Sequence, residues 1–459
     1  MNRSWPVIVL SGLLLLAAGE AARAQTQVSR KHTETLLAPF PPEAYDSVVV
    51  SPDGRRVAYI KKVDGGQKAL ADGKEERTYE QVASLSFSPD GKTFAYAATS
   101  GGKWLIVANG KEQGPYERVG PPAFSPDGKR MAFVAMLPGG KRAAVVDGKP
   151  GTAYDLVFEG RIVFSPDSRR MAYGVQKGDA WYVVADDKES GPYEFLGSAS
   201  GIQFSRDGTR LAYAAQMNKK WVVVLDGKAQ TPCENLGDVA FSPDGRRVAY
   251  AAMQGGKWAV VVDGKPGAAW EGVGEGTLLF SPDSKRLAYA ALADKQWRVV
   301  LDGKAGQPYD RIGEMKFSPQ SQLAYTAKQG REALVVLGDK PGRPFDRVGD
   351  GTLVFSPSGR RLAYIARIAQ VTFAVVDGKR RPRYDMIGYL TFTPDGRSVL
   401  YAAIRGKKTF TVLDDKEAAH QYDAIWMPRG GRFTFTAPKK FYYLAVKEGN
   451  MYLVEEELD

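Results

Sequence analysis

The chain has 459 residues, 44% hydrophobic and 25% charged, with 63 Lys and Arg against 52 Asp and Glu for a formal net charge of +11. Those proportions belong to an ordinary globular protein and exclude both a disordered chain and a polytopic membrane protein. One cysteine and two histidines exclude an intramolecular disulfide framework and a Cys-rich zinc site, and leave little material for His-based metal or acid-base chemistry.

In chain order, Met1-Asn2-Arg3, the apolar run from Val7 to Ala18 and the small-x-small triplet Ala22-Arg23-Ala24 read as a signal peptide over residues 1–24. The run is too short to span a bilayer and no cysteine follows it, so the expectation is a periplasmic or secreted protein with no transmembrane or lipid anchor. Residues 25–44 form an N-terminal lead. Beyond it a Ser-Pro or close variant recurs, first residues Ser51, Ser88, Ser125, Ser165, Ser205, Ser242, Ser281, Ser318, Ser356 and Thr393, at spacings of 37 to 40. An eleventh unit is read at Met427-Pro428, with Phe435 as its aromatic.

Residues 242–280 show the content of a unit. Val239-Ala240-Phe241 is a short apolar strand, and Ser242-Pro243-Asp244-Gly245 is a turn in which Pro fixes φ and Gly tolerates positive φ. Arg246 to Ala252 is a second strand, Gln254-Gly255-Gly256 closes a hairpin, Trp258 to Val262 is an apolar third strand, and Trp270 to Val273 a fourth. An aromatic recurs eight residues into most units (Tyr96, Phe133, Tyr173, Tyr213, Tyr250), and tryptophan recurs at Trp104, Trp181, Trp221, Trp258 and Trp297. Four strands in about 38 residues predict an all-β chain, a β-propeller of about eleven four-stranded repeats, either two rings of five and six blades or one large ring. The repeats divide as 45–241 (one to five) and 242–459 (six to eleven). Tyr45-Asp46 matches the end of a fourth strand, so the lead is expected to supply an outer strand that closes a ring.

The string Phe-Ser-Pro-Asp-Gly-Lys/Arg-Arg-x-Ala-Tyr, as in Phe124 to Phe133 and Phe241 to Tyr250, resembles the WD40-like repeat of the TolB and prolyl oligopeptidase propellers. The resemblance covers nearly all of Tyr45 to Asp459 and implies a propeller. It implies no chemistry, because such propellers serve as scaffolds, lids and catalytic domains. The α/β domain that precedes the TolB propeller has no counterpart here. Nor is there the Gly-x-Ser-x-Gly elbow of a prolyl oligopeptidase: Gly197-Ser198-Ala199-Ser200-Gly201 has Ala where that serine belongs.

The hairpins between second and third strands carry 18 basic residues against four acidic ones, a basic crown suited to anionic partners. Against that stands an acid after each fourth-strand aromatic or after Cys233 (Glu117, Asp155, Glu194, Glu234, Asp423 among them), able to neutralise the crown or the second-strand arginines. The tryptophans suggest a sugar platform or, more simply, packing between layers. Cys233 reads as a small buried apolar residue, His420 as an exposed turn residue, and the Asp of each Ser-Pro-Asp-Gly turn as turn chemistry. The resulting expectation is an exported, non-catalytic scaffold that binds a protein or an anionic cell-envelope component, not nucleic acid, with no cofactor and no metal. Lys219, Lys220, Lys257, Arg405, Lys407 and Lys408 are the candidate partner-binding residues. The alternative is a carbohydrate-active or other hydrolytic propeller with carboxylates in its central channel.

Overall fold

A computed structural model of the chain describes residues 27–28, 30–40, 46–158, 162–197, 201–427 and 433–458. The proposed signal peptide, its cleavage site and Tyr45 lie outside these residues. Among the described residues there is no α-helix, and the strands form eleven small sheets. They are the blades of an eleven-bladed β-propeller. The chain clusters into two compact units, one of residues up to 59, 71–74 and 316–459, the other of 60–70 and 75–315.

In the second unit, blade six has its four strands at Asn235–Phe241, Val248–Gln254, Lys257–Val262 and Lys265–Trp270; the fourth ends at Trp270 rather than running from Trp270 to Val273, because Gly272–Val273 pairs with Leu287–Ala293 and begins blade seven. Tyr250 pairs with Val261 and Ala249 with Val262 in antiparallel register. In blades three, four, five and seven the first strand is broken into two short pieces, such as Arg118–Val119 and Ala123–Phe124, that both pair with the second strand.

The serine turn is built as its sequence suggests. Ser242 Oγ donates to Asp244 Oδ1 at 2.5 Å, and the same oxygen accepts the Arg247 amide at 2.9 Å. Gly245 sits at φ 72°, a conformation in which a Cβ is strained. The Asp is a turn residue in each such blade, its acidity raised by the serine hydroxyl and by the amide two residues on, as at Asp90 and Asp167.

Consecutive blades are joined at this end by the second-strand arginines. Arg210 holds Asp226 through Nε at 2.9 Å, donates through Nη1 to the Arg246 carbonyl of blade six at 3.1 Å, and lies 5.7 Å from the Phe241 ring centre. Arg170 does the same to Asp186, the Thr209 carbonyl and Phe204. The partner of these arginines is therefore the Asp of the turn between third and fourth strands, not the acid after the fourth strand. Inside the junction, Ala212 and Val223 of blade five pack with Leu236, Val248 and Tyr250 of blade six, so apolar packing runs straight through the point where repeats five and six divide.

The fourth-strand aromatic has a fixed task. Tyr193 meets Tyr213 of the next blade edge-on at 5.8 Å, with the hydroxyls 2.8 Å apart, and Tyr79 meets Tyr96 at 6.1 Å. Cys233 occupies that place in blade five, buried and free, with burial pushing its thiol up to about 11.

In the first unit, the final blade is assembled from both parts of the chain. Its second and third strands are Lys440–Lys447 and Asn450–Glu457, its first strand is Ala424–Trp426 with Thr434–Ala437, and its fourth is His32–Pro39. The lead thus supplies the outer strand, antiparallel to Asn450–Glu457. The eleventh unit is offset from its sequence reading. The aromatic that meets the preceding fourth-strand residue is Tyr443, 6.0 Å from Tyr422, not Phe435. Consequently Lys439 and Lys440, two of the 18 basic residues assigned to hairpins, lie at the turn between first and second strands and leave that set; the hairpin itself is Glu448-Gly449. The misreading arises because Ala437-Pro438-Lys439-Lys440 lacks the Ser, Asp and Gly of the other turns.

A buried polar cluster fastens the added strand. Arg30, its side chain 2% exposed, reaches Glu456 at 3.2 Å, Thr411 Oγ1 at 2.9 Å and the Lys416 carbonyl at 2.7 Å. Glu456 also accepts from Tyr443 at 2.6 Å and pairs with His420 at 2.8 Å. Burial alone would raise Glu456, yet His420 and Arg30 bring it below the ordinary carboxylate range. The His420 side chain is thus only 9% exposed rather than open to solvent, and its ring stacks on His32 at 4.1 Å.

Candidate binding surface at the hairpin ends

The hairpin between second and third strands and the acid after the fourth strand occupy the same end of each blade, opposite the serine turns. The acid is a two-handed group. Asp155 accepts the Gly178 amide of blade four at 2.7 Å while Lys141 of its own blade holds its other oxygen at 2.5 Å. Lys141 first, and then that amide, lower its pKa. Glu80 takes the Gly101 amide, Glu194 the Lys219 amide, Glu234 the Gly256 amide, Asp346 the Ala369 amide, Asp385 the Gly406 amide and Asp423 the Glu448 amide. Each is the acid of one blade satisfying the turn amide of the next, a structural use of the charge that leaves no orphan donor at the hairpin.

In the second unit this divides the lysines into two groups. In blades one to four, Lys61 pairs with Glu75 at 2.8 Å, Lys103 with Glu117 at 2.6 Å, Lys141 with Asp155, and Lys177 with Glu189. In blades five to seven, Lys219, Lys220, Lys257 and Lys295 are exposed and no ion pair reaches them from a described residue. In the first unit, Arg405 is committed to Glu417 through two bonds of 2.8 and 2.6 Å and lies over the Tyr384 and Phe410 rings. Lys408 is paired with Asp423 at 2.8 Å, whereas Lys407 is exposed without such a partner among the described residues. Of the six candidate residues, Lys219, Lys220, Lys257 and Lys407 are available to a ligand as they stand; Arg405 and Lys408 are engaged within their blade.

The tryptophans pack on their own blades. The Trp221 ring lies over Gly197, where a Cβ would approach it to 3.2 Å and the Ala214 Cβ to 2.7 Å, and Trp258 lies over Gly237 in the same way. They are nonetheless only half-buried. The group the sequence reading missed is apolar: Phe195 is 45% exposed, with its ring edge-on to Trp181 at 5.9 Å and to Trp221 at 6.2 Å. Its signal was an aromatic at a place where other repeats have Arg118, Asn235 or Gly272.

The two fully buried carboxylates are saturated, whereas Asp415, held through Oδ2 by Arg381 at 3.0 Å, keeps a buried Oδ1 without a hydrogen-bond partner among the described residues. Glu417 is held by Arg405 and by the Tyr384 hydroxyl, and Glu456 by Arg30, Thr411, His420 and Tyr443. Asp238, raised by burial, accepts the Gly276 amide of the next blade. Among the described residues no group of three or more His, Cys, Asp or Glu is arranged to hold a metal ion, and no helix is long and apolar enough to cross a membrane.

No protein-family model and no curated protein matches the chain. Solved structures similar to it include a crystal structure of the eukaryotic initiation factor (TM-score 0.40, 14% identity, covering 73% of this chain and 98% of that one). The Dos1 propeller gives a TM-score of 0.31 at 12% identity over 64% of this chain and 90% of that one. The hydrazine synthase of Kuenenia stuttgartiensis gives 0.28 at 13% identity over 55% and 94%. At these levels the eleven sheets themselves, not the likenesses, establish the fold: the chain is a β-propeller.

Proposed function

We propose that the protein is an exported, non-catalytic scaffold that docks an anionic partner, a protein or an envelope component, on the hairpin ends of blades five to seven. The observation that carries this reading is the division of the hairpin lysines: Lys61, Lys103, Lys141 and Lys177 of blades one to four are each paired within the fold, Lys62 being the exposed exception, whereas Lys219, Lys220, Lys257 and Lys295 of blades five to seven are all exposed without an ion pair from a described residue. Unpaired surface cations steer and orient acidic partners, an effect that falls with ionic strength. The non-catalytic part of the reading is supported by Glu417 and Glu456, the fully buried carboxylates, whose oxygens are taken by arginine, tyrosine, threonine and histidine donors, leaving them poor acids or bases for a substrate. Export rests on the basic, apolar and small-residue pattern of residues 1–24.

The test uses the mature protein as bait in envelope extract beside a variant with Lys219, Lys220, Lys257 and Lys295 all changed to Gln. The expected result is a partner retained at 50 mM salt, released at 0.5 M and not retained by the variant. Equal retention by both proteins, or a specific hydrolysis of an envelope polysaccharide by the wild type, overturns the reading.

A further inference from the structure

Two departures from the repeat, both in the second unit, build a feature at the hairpin ends of blades four and five. Where blades three, five, six and seven have Gly120, Gly197, Gly237 and Gly274, blade four has Phe158. The second strand answers with Gly174 in place of the alanine that blades five, six and seven carry as Ala214, Ala251 and Ala290. A Cβ on Gly174 would stand 2.5 Å from Phe158 Cδ2, so the glycine is what admits the ring. Phe158 then stacks on Trp181 with centroids 4.7 Å apart and planes 15° from parallel. The second departure is Phe195, edge-on to both Trp181 and Trp221 at interplanar angles of 69° and 85°. The result is a row of four rings, Phe158, Trp181, Phe195 and Trp221, none of them fully buried, with exposed Lys219 and Lys220 on the hairpin beside Trp221.

Core packing does not require the outermost ring, since blades two, three, six and seven fill its place with Gln81, Arg118, Asn235 and Gly272; Leu156 and Met386 are apolar there but not aromatic, and an exposed aromatic next to half-buried ones marks a place of contact. We propose that this row anchors an acidic segment of a partner protein that carries an aromatic or other large apolar side chain. The proposal rests on the reading of the hairpin ends as a docking surface and names the partner chemistry for it. Ring edges and faces pack apolar side chains with a preference for aromatic ones, and the two lysines complement carboxylates on the same segment. A sugar platform is less well served, because stacking on sugar needs an open ring face and Phe158 already covers one face of Trp181.

The proposal is tested by selecting a displayed library of random peptides on the purified protein and titrating the enriched peptides by fluorescence anisotropy. Enriched peptides are expected to combine an aromatic residue with Asp or Glu. Phe195→Asn, which installs the residue that blade six carries as Asn235, is expected to weaken them at least ten-fold while leaving the melting temperature within a few degrees of wild type. Lys219→Gln with Lys220→Gln is expected to weaken them by a similar factor and to flatten the salt dependence. Enriched peptides without aromatic or acidic residues overturn the proposal, as does binding of a uronic-acid oligosaccharide that Phe195→Asn abolishes while no peptide is enriched. Loss on the lysine changes with none on Phe195→Asn removes the aromatic anchor but leaves the docking surface standing. Affinity unchanged by either set removes both.

Discussion

The eleventh blade and its ten sisters reach the same sheet by different routes. In blades two to seven the four strands are consecutive, each turn is stabilised by groups a few residues away, and the ion pairs between strands are exposed. The final blade takes its outer strand from residues 32–39 and secures it with Arg30 and Glu456, side chains 2% and 0% exposed. Local blades can spend weak surface interactions because chain connectivity already holds their strands together. The composite blade cannot, and its fastening is placed where water does not compete.

That contrast is broken most severely at the latch. Arg30→Met leaves the Glu456 carboxylate buried without its guanidinium, a change that costs about 3–5 kcal/mol for pairs of this kind. A large fall in the urea midpoint is expected, with early loss of protection of the His32–Pro39 amides in hydrogen exchange; an unchanged midpoint would show that strand pairing alone holds the blade.

A smaller effect is expected inside a local blade. Gly174→Ala forces a methyl group against Phe158 and should cost about 1–3 kcal/mol by overpacking. Phe158→Gly added to it restores the pair found in blade five and should recover much of that loss in a double-mutant cycle. Additive losses would mean that the two positions do not compensate one another.

The exposed clasps should respond least, and through pH. Asp155, Asp423, Glu75 and Glu189 all have pKa values lowered by their lysines, Glu75 to about 2. A carboxylate whose folded pKa lies below its unfolded value contributes stability above the unfolded value, near 4, and that contribution is lost as pH falls through the folded one. The melting temperature is therefore expected to hold from pH 7 to 5 and to decline below about pH 4, with a shallower decline in 0.5 M salt because exposed pairs are weak and screened. A melting temperature that does not fall between pH 4 and pH 2 would show that these clasps do not set the acid sensitivity.

The repeat was legible because each blade restates the same local chemistry: a serine turn, an aromatic that meets the previous fourth strand, an acid that follows. The eleventh blade was misread for the complementary reason. Its turn, Ala437-Pro438-Lys439-Lys440, keeps only the proline, whereas its outer strand was anticipated in the lead because Tyr45-Asp46 matches the end of a fourth strand. Which lysines are free was not legible either. Lys103 with Glu117 and Lys257 with Glu271 have the same spacing, yet only the first pair meets. Phe195 stood in plain sight as a break in the pattern, but a search guided by charge and by tryptophan passed over it.

The junctions between blades have a direction. Arg170 reaches forward to the carbonyls of blade five and Arg210 to those of blade six, while Glu194 and Glu234 reach forward to the amides of the following hairpins. Every such blade offers the same hands to its successor and the same handholds to its predecessor. Among blades that carry this pattern, a unit can thus be duplicated or excised in register without leaving a charge or an amide unmatched at the scar, so the chemistry of these junctions does not by itself set the blade number.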